Sequence, residues 1–136
     1  MTPLMDGTPL DRERYVSLET FRKDGSGVKT PVWAAPLDGG LVVFSEGRSY
    51  KVARIRRDPR GRVAGCSVRG VVHGPWYEAR CSLIEDAREV ARAHAAIRKK
   101  YGFQGFILDV AAGLAGRTKR RAWLRIELTE APPGKE

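Results

Sequence analysis

The chain of 136 residues suits one domain with a real hydrophobic core, and no apolar run in it nears the ~20 residues of a membrane-spanning helix. Its 42% hydrophobic and 30% charged composition excludes a disordered chain, and two cysteines exclude a disulfide framework. The net charge of +9, with a pI near 10.1, favours an anionic partner such as nucleic acid, anionic lipid or a phosphorylated small molecule.

In chain order, residues 1–13 carry Pro3, Gly7 and Pro9 and read as a flexible arm; the opening lacks the apolar core of a signal peptide, so a cytoplasmic location is expected. Arg14 to Arg22 alternates, with Val16, Leu18 and Thr20 on one face, and predicts a strand. Residues 23–27 (KDGSG) predict a hairpin turn in which Gly25 and Gly27 supply positive φ. Val28 to Pro36 predicts a second strand at an edge or a bulge, because Pro31 cannot donate to a ladder. Residues 37–40 (LDGG) predict another tight turn, and Leu41 to Ser45 a third strand buried on both faces.

Ser49 to Asp58 changes to helical spacing. Val52 and Ile55 lie three apart, Ser49 can cap, and Asp58-Pro59 stops the segment. Arg62–Arg69 and Trp76–Ile84 predict two more strands. In the second, Tyr77, Ala79, Cys81 and Leu83 alternate with polar residues. Asp86 to Tyr101 predicts a long helix with Ala87, Val90, Ala91, Ile97 and Tyr101 on its packing face and Gly102 as its C-terminal stop. Phe103 to Gly116 fits a loop or a short helix equally. Ala122 to Leu128 predicts a closing strand, and 130–136 a frayed tail. One domain over residues 14–129 follows, with six hairpin-spaced strands, one long helix and one short one. That series closes into a small antiparallel barrel, which removes exposed edges.

The charge is concentrated. Arg48 to Arg62 holds seven basic residues and one acid, and Arg117 to Arg125 holds five basic residues and none acidic. The strand ending at Ser45, followed by a helix opening with Ser49, Tyr50 and Lys51, offers backbone N–H groups, a hydroxyl and an ammonium to a phosphate. Lys51 and Arg54 are i and i+3, share a helix face, and are expected to be solvent-exposed. A capped helix with solvated basic residues fits the same pattern. No nucleotide-binding, zinc-protease or serine-hydrolase motif occurs. His73 and His94, the two histidines, suit surface or packing positions, and Cys66 and Cys81 suit buried reduced thiols. No metal site and no catalytic acid, base or nucleophile stands out, so an enzyme built on this chain would leave the hard chemistry to a cofactor.

The stretches KTPVW (29–33), FS (44–45), SYK (49–51) and RRDPR (56–60), in this order and spacing, resemble the FMN-binding split-barrel superfamily. That superfamily includes pyridoxamine 5′-phosphate oxidase, and the chain is most similar to its short members that use the deazaflavin coenzyme F420. The resemblance spans Tyr15 to Leu128. It implies a mainly β fold, a six-stranded antiparallel split β-barrel, assembled as a homodimer with cofactor sites at the subunit interface. It also implies F420 as cofactor, with FMN as the alternative. By position, it implies Ser49, Tyr50 and Lys51 at the cofactor phosphate. Thr30, Pro31, Val32 and Trp33 would lie along the ring and its side chain, with Phe44 and Ser45 beside them, and Arg54 together with Arg56 or Arg57 would extend the anion site. Residues that bind pyridoxal phosphate in the oxidase have no counterpart here. An aromatic strand residue such as Trp33 equally suits a core or a dimer interface.

Three functions compete. The first is an F420-dependent oxidoreductase passing a hydride to a small organic acceptor, for which the surplus charge at Arg56, Arg57, Arg60 and Arg117–Arg121 suits the polycarboxylate tail of F420. The second is an FMN- or F420-binding carrier or sensor without turnover. The third is a nucleic-acid-binding barrel, disfavoured because aromatic residues are 8% and Trp33, Trp76 and Trp123 fall on different strands.

Overall fold

The computed structural model describes residues 8–46, 50–114 and 121–129. The elements run β1 (Tyr15–Phe21), β2 (Gly27–Val32), β3 (Ala34–Leu37), β4 (Gly40–Glu46), α1 (Tyr50–Arg57), β5 (Arg60–Cys66), β6 (Tyr77–Ile84), α2 (Ala87–Leu114) and β7 (Arg121–Leu128). All strands join one antiparallel sheet in the order β2-β1-β5-β6-β7-β4-β3. β2 and β3 sit at opposite ends of that order, yet a single residue, Trp33, separates them. A flat sheet cannot satisfy both facts. The sheet therefore curls until its two edges approach, which makes a split barrel.

This corrects the strand count from six to seven. The segment Val28 to Pro36 is not one strand, because it breaks at Trp33 to serve both edges. Pro31 lies in edge strand β2 opposite Ser17, where its missing N–H costs no inner ladder bond. The turn joining β3 to β4 has positive φ at both Asp38 (51°) and Gly39 (81°), as a two-residue hairpin requires. In the first hairpin Gly25 takes positive φ (90°), but Gly27 does not. Gly27 is required for space instead: a Cβ there would lie 1.8 Å from the Glu19 carboxylate.

The sheet is covered on both faces. Leu18, Leu41, Val43, Val63, Leu124 and Ile126 fill the barrel interior, joined by Leu10 and by Ile55 of α1. On the other face Val42 and Trp123 meet Ala93, Ile97 and Tyr101 of α2. β4 is thus buried on both sides, as its apolar run predicts. The packing face of α2 is Val90, Ala93, Ile97 and Tyr101, while Ala87 and Ala91 are exposed. Gly102 breaks the helix with φ 57° and ψ −129°, the left-handed stop the sequence predicts. Helical turns then resume through Leu114, so that part of the ambiguous Phe103–Gly116 segment is helix. Cys66 and Cys81 are buried free thiols, and burial pushes the Cys81 thiol up to about 12. No helix of the described residues is long and apolar enough to cross a membrane.

Candidate functional site

β4 carries two candidate residues in succession, and strand alternation sends them to opposite faces. Phe44 joins the cluster under α2. Ser45 accepts a hydrogen bond from the Lys51 ammonium at 3.2 Å. The predicted ring-contacting and phosphate-contacting residues therefore form two groups.

The first group is basic. α1 turns Val52 and Ile55 inward, and the same rotation draws Lys51 in with them. Lys51 is 8% exposed, which corrects the expectation of a solvated side chain. Its ammonium lies below the usual lysine pKa, first because burial disfavours the charged form and then because Arg54 stands beside it. Arg54 Nε donates to Thr20 Oγ1 at 2.9 Å, and Arg57 Nη2 donates to the Phe21 carbonyl at 2.5 Å. Arg54 is itself lowered, by burial and then by the charges of Arg22 and Arg57. A basin of about 630 Å³ opens among Arg22, Lys23, Asp24, Ala53, Arg54 and Arg57. Asp24 adds one carboxylate at the rim, held in its ionised form by the backbone N–H and the hydroxyl of Ser26 and then by Arg22. Arg56 is not part of this group. It projects to the far side of α1, where it pairs with Glu85 at 3.8 Å across an exposed surface.

The second group is aromatic. Trp33 stacks on Tyr101 with ring centroids 4.1 Å apart and planes within 2°. Phe44 meets Trp33 edge-on at 6.5 Å and Trp123 at 5.3 Å, and the Arg121 guanidinium sits 4.4 Å over the Phe44 ring. This puts Trp33 with the core, one of the two positions its sequence context allows. Val32 is buried in the barrel interior, Thr30 is half-buried opposite Leu18, and Pro31 is exposed. Ser49, the Tyr50 side chain, and the basic residues Arg48, Arg117, Lys119 and Arg120 lie outside the described residues.

Sequence reasoning did not name Thr20, Arg22 and Lys23 as neighbours of Arg54. The Arg22-Lys23 pair beside the hairpin turn was visible, but its approach to α1 spans about thirty residues and comes from the curl of the sheet. Among the described residues no group of three His, Cys, Asp or Glu side chains could hold a metal. His73 Nε2 lies 3.4 Å from Glu13, and His94 packs at 5.5 Å from the Trp123 ring.

No family model matches the sequence, and no curated protein matches it either. Solved structures do match. A candidate pyridoxamine 5′-phosphate oxidase from Listeria innocua superposes with a TM-score of 0.65 at 18% identity, covering 93% of each chain. The chain has the split-barrel fold of pyridoxamine 5′-phosphate oxidase-like proteins. An FAD-binding protein from Mesorhizobium loti matches with a TM-score of 0.59 at 18% identity, over 89% of this chain and 85% of its own. The heme storage protein HutZ of Vibrio cholerae matches with a TM-score of 0.66 at 11% identity, over 88% of this chain and 84% of its own. One fold thus serves a flavin dinucleotide in one protein and heme in another, and the choice of ligand belongs to the residues grafted on it.

Proposed function

We propose that this chain is an oxidoreductase that binds coenzyme F420 and passes a hydride between the reduced coenzyme and a small organic acceptor. It would act as a cytoplasmic homodimer with the coenzyme at the subunit interface. The observation that carries this reading is the burial of Lys51. Its ammonium donates to the Ser45 hydroxyl, and the charge acting on it among the described residues is the like charge of Arg54. A buried cation in that state is costly, and a phosphate placed between Lys51 and Arg54 supplies the missing counter-charge. The residues present therefore fit the phosphate that F420 and FMN share. When bound, the deazaflavin ring supplies the hydride chemistry. Lys51 and Arg54 hold the phosphate, and the Arg22, Lys23 and Arg57 basin offers surplus positive charge for carboxylates beyond it.

The same features suit FMN or F420 held without turnover, and a storage protein on this fold gives that reading its support. Fluorescence titration with purified F420 and FMN separates the cases. F420 is expected to bind more tightly, with an affinity that falls more steeply with salt, because exposed charges are screened. Lys51→Ala is expected to weaken either coenzyme about ten- to a hundredfold, the worth of one charge-assisted hydrogen bond. Unchanged binding by Lys51→Ala would place the anion site elsewhere. Tight binding with no oxidation of reduced F420 across an acceptor panel would favour the carrier, and tighter binding of RNA than of either coenzyme would remove both.

A further inference from the structure

A second groove, sharing no residue with the Lys51 cluster, runs between β3 and the first half of α2. Its volume is about 540 Å³, within the range of small-molecule pockets. Ala95 and Ala96 form a floor of small side chains, and Pro36 and Leu37 form the facing wall. Arg92, Lys99 and Lys100 bring positive charge to it, and Asp11 brings the one carboxylate. That carboxylate is already engaged, accepting from the backbone N–H and the hydroxyl of Thr8 at 3.0 and 2.8 Å. Arg92 is fixed in place by Asp38, to which it donates at 2.7 and 2.9 Å.

Lys100 is the group that makes this a built site. Its ammonium donates to the carbonyls of Glu13 and Ala34, each at 2.5 Å. Those two bonds fix the position of Nζ and leave one of its three N–H donors for the groove. We propose that this groove binds a planar aromatic carboxylate, its ring laid against Ala95, Ala96, Pro36 and Leu37 and its carboxylate accepting from Lys100. Two alanines facing a proline and a leucine suit a thin apolar ring, and the cationic rim selects a carboxylate over a neutral analogue. Burial draws the Lys100 ammonium down to about 8, and an arriving anion reverses that cost. The charged groups around it are Arg92 and Lys99 on α2 and Asp11, Glu13 and Arg14 on the preceding segment. Of these, Asp11 and Glu13 raise it and Arg14 lowers it.

The test uses the full chain and two probes of one ring size, 2-naphthoate and 2-naphthalenemethanol, followed by methyl-detected NMR. Naphthoate is expected to shift the methyl signals of Ala95 and Ala96 and to bind at least about tenfold more tightly than the alcohol, as one charged hydrogen bond requires. Its affinity should fall as pH rises through about 8, where Lys100 loses its proton. Lys100→Met should weaken naphthoate about tenfold. Because Lys100 also anchors backbone, Ala95→Phe serves as the second variant: it fills the groove from an exposed helix position and should abolish binding in a folded chain. Equal binding of the two probes, no binding of naphthoate, or unchanged binding in Ala95→Phe would each overturn the proposal. Shifts confined to α1 would do the same. Lys51→Ala should leave naphthoate binding intact, so failure here says nothing against the coenzyme reading.

Discussion

Two lysines on opposite faces of one sheet, Lys51 buried and Lys100 half-buried, have taken different solutions to the same problem. Lys51 approaches the barrel interior from α1 and donates to a hydroxyl beside a like charge. Lys100 lies on the α2 face and donates to two carbonyls, with Asp11 and Glu13 adding favourable charge. Removing an ammonium from water costs several kcal/mol, and only well-placed acceptors offset it. Lys100 has them and acts as a clamp, tying the segment before β1 to the start of β3. Among the described residues Lys51 has the Ser45 hydroxyl and the like charge of Arg54, a state that a bound anion would relieve. Burial of a charge thus does not itself fix one role; the number and sign of its partners separate a lysine that also anchors backbone from one that does not.

The contrast can be broken most directly by removing each clamp atom. Lys100→Met should destabilise the chain by about 2 kcal/mol, read as a lower urea midpoint, because it removes the ammonium donor from the Glu13 carbonyl while Ala34 still accepts from the Tyr101 hydroxyl at 3.1 Å. Tyr101→Phe should cost about 1–2 kcal/mol. Its hydroxyl accepts from the Ala34 N–H at 3.0 Å and donates to the Arg14 carbonyl at 2.8 Å, so it fastens the same two segments. Lys51→Met should move stability the other way, by up to about 1 kcal/mol, since it replaces an under-partnered buried charge with an apolar group of similar volume. A loss of stability equal to that of Lys100→Met would make Lys51 a second clamp.

The pH dependence sharpens the same comparison. The folded Lys100 pKa, about 8, lies below its ordinary 10.5, so between those values the unfolded chain holds more protons. Stability should therefore rise with pH from about 8, and Lys51, also lowered, adds in the same direction. Tyr101 opposes this at higher pH. Burial raises its phenol from 10 to about 12, so stability falls as pH climbs through that window. Denaturation midpoints between pH 7 and 12 should pass through a maximum near 10, and Lys100→Met should flatten the rising limb. The smallest expected effect is at the acid end. Arg60 holds the Asp58 carboxyl at about 2, below its ordinary 3.8, and Asp58→Asn should remove a slight loss of stability over that interval.

Most of the fold was legible because strand alternation and turn chemistry are local. β6 follows from alternating residues, β4 from a continuous apolar run and both tight turns from Asp-Gly pairs, while β1 and β7 were placed by alternation although the structure also buries Ser17 and Glu19 of β1. The break at Trp33 was not legible, since nothing in TPVWAAP distinguishes one bent edge strand from two strands serving opposite edges. Nor was the continuation of α2, because a glycine with positive φ ends a helix by the same signal whether or not another begins. At the candidate site the i, i+3 spacing of Lys51 and Arg54 correctly puts them side by side. Their burial did not follow from it, because the depth of a helix face depends on what the sheet places beneath. Adjacency left Arg56 and Arg57 as alternatives; successive helical residues point about 100° apart, and the structure turns Arg57 to Phe21 beside Arg54 and Arg56 to Glu85.

The position of β7 has a consequence for how the chain is made. β7 is the last strand in sequence but lies inside the sheet, between β6 and β4, pairing Leu124 with both Leu83 and Val43. Emerging from a ribosome, the first six strands can form their hairpins and the β1–β5–β6 ladder. Until β7 arrives, the facing edges of β4 and β6 then stand open. Those edges include Val42, Val43, Cys81 and Leu83, an apolar template of the kind that captures strands from other chains. β7 is therefore a keystone that follows every other strand of the sheet in the chain. The nascent sheet carries its greatest risk of mispairing in the interval before β7 leaves the ribosome.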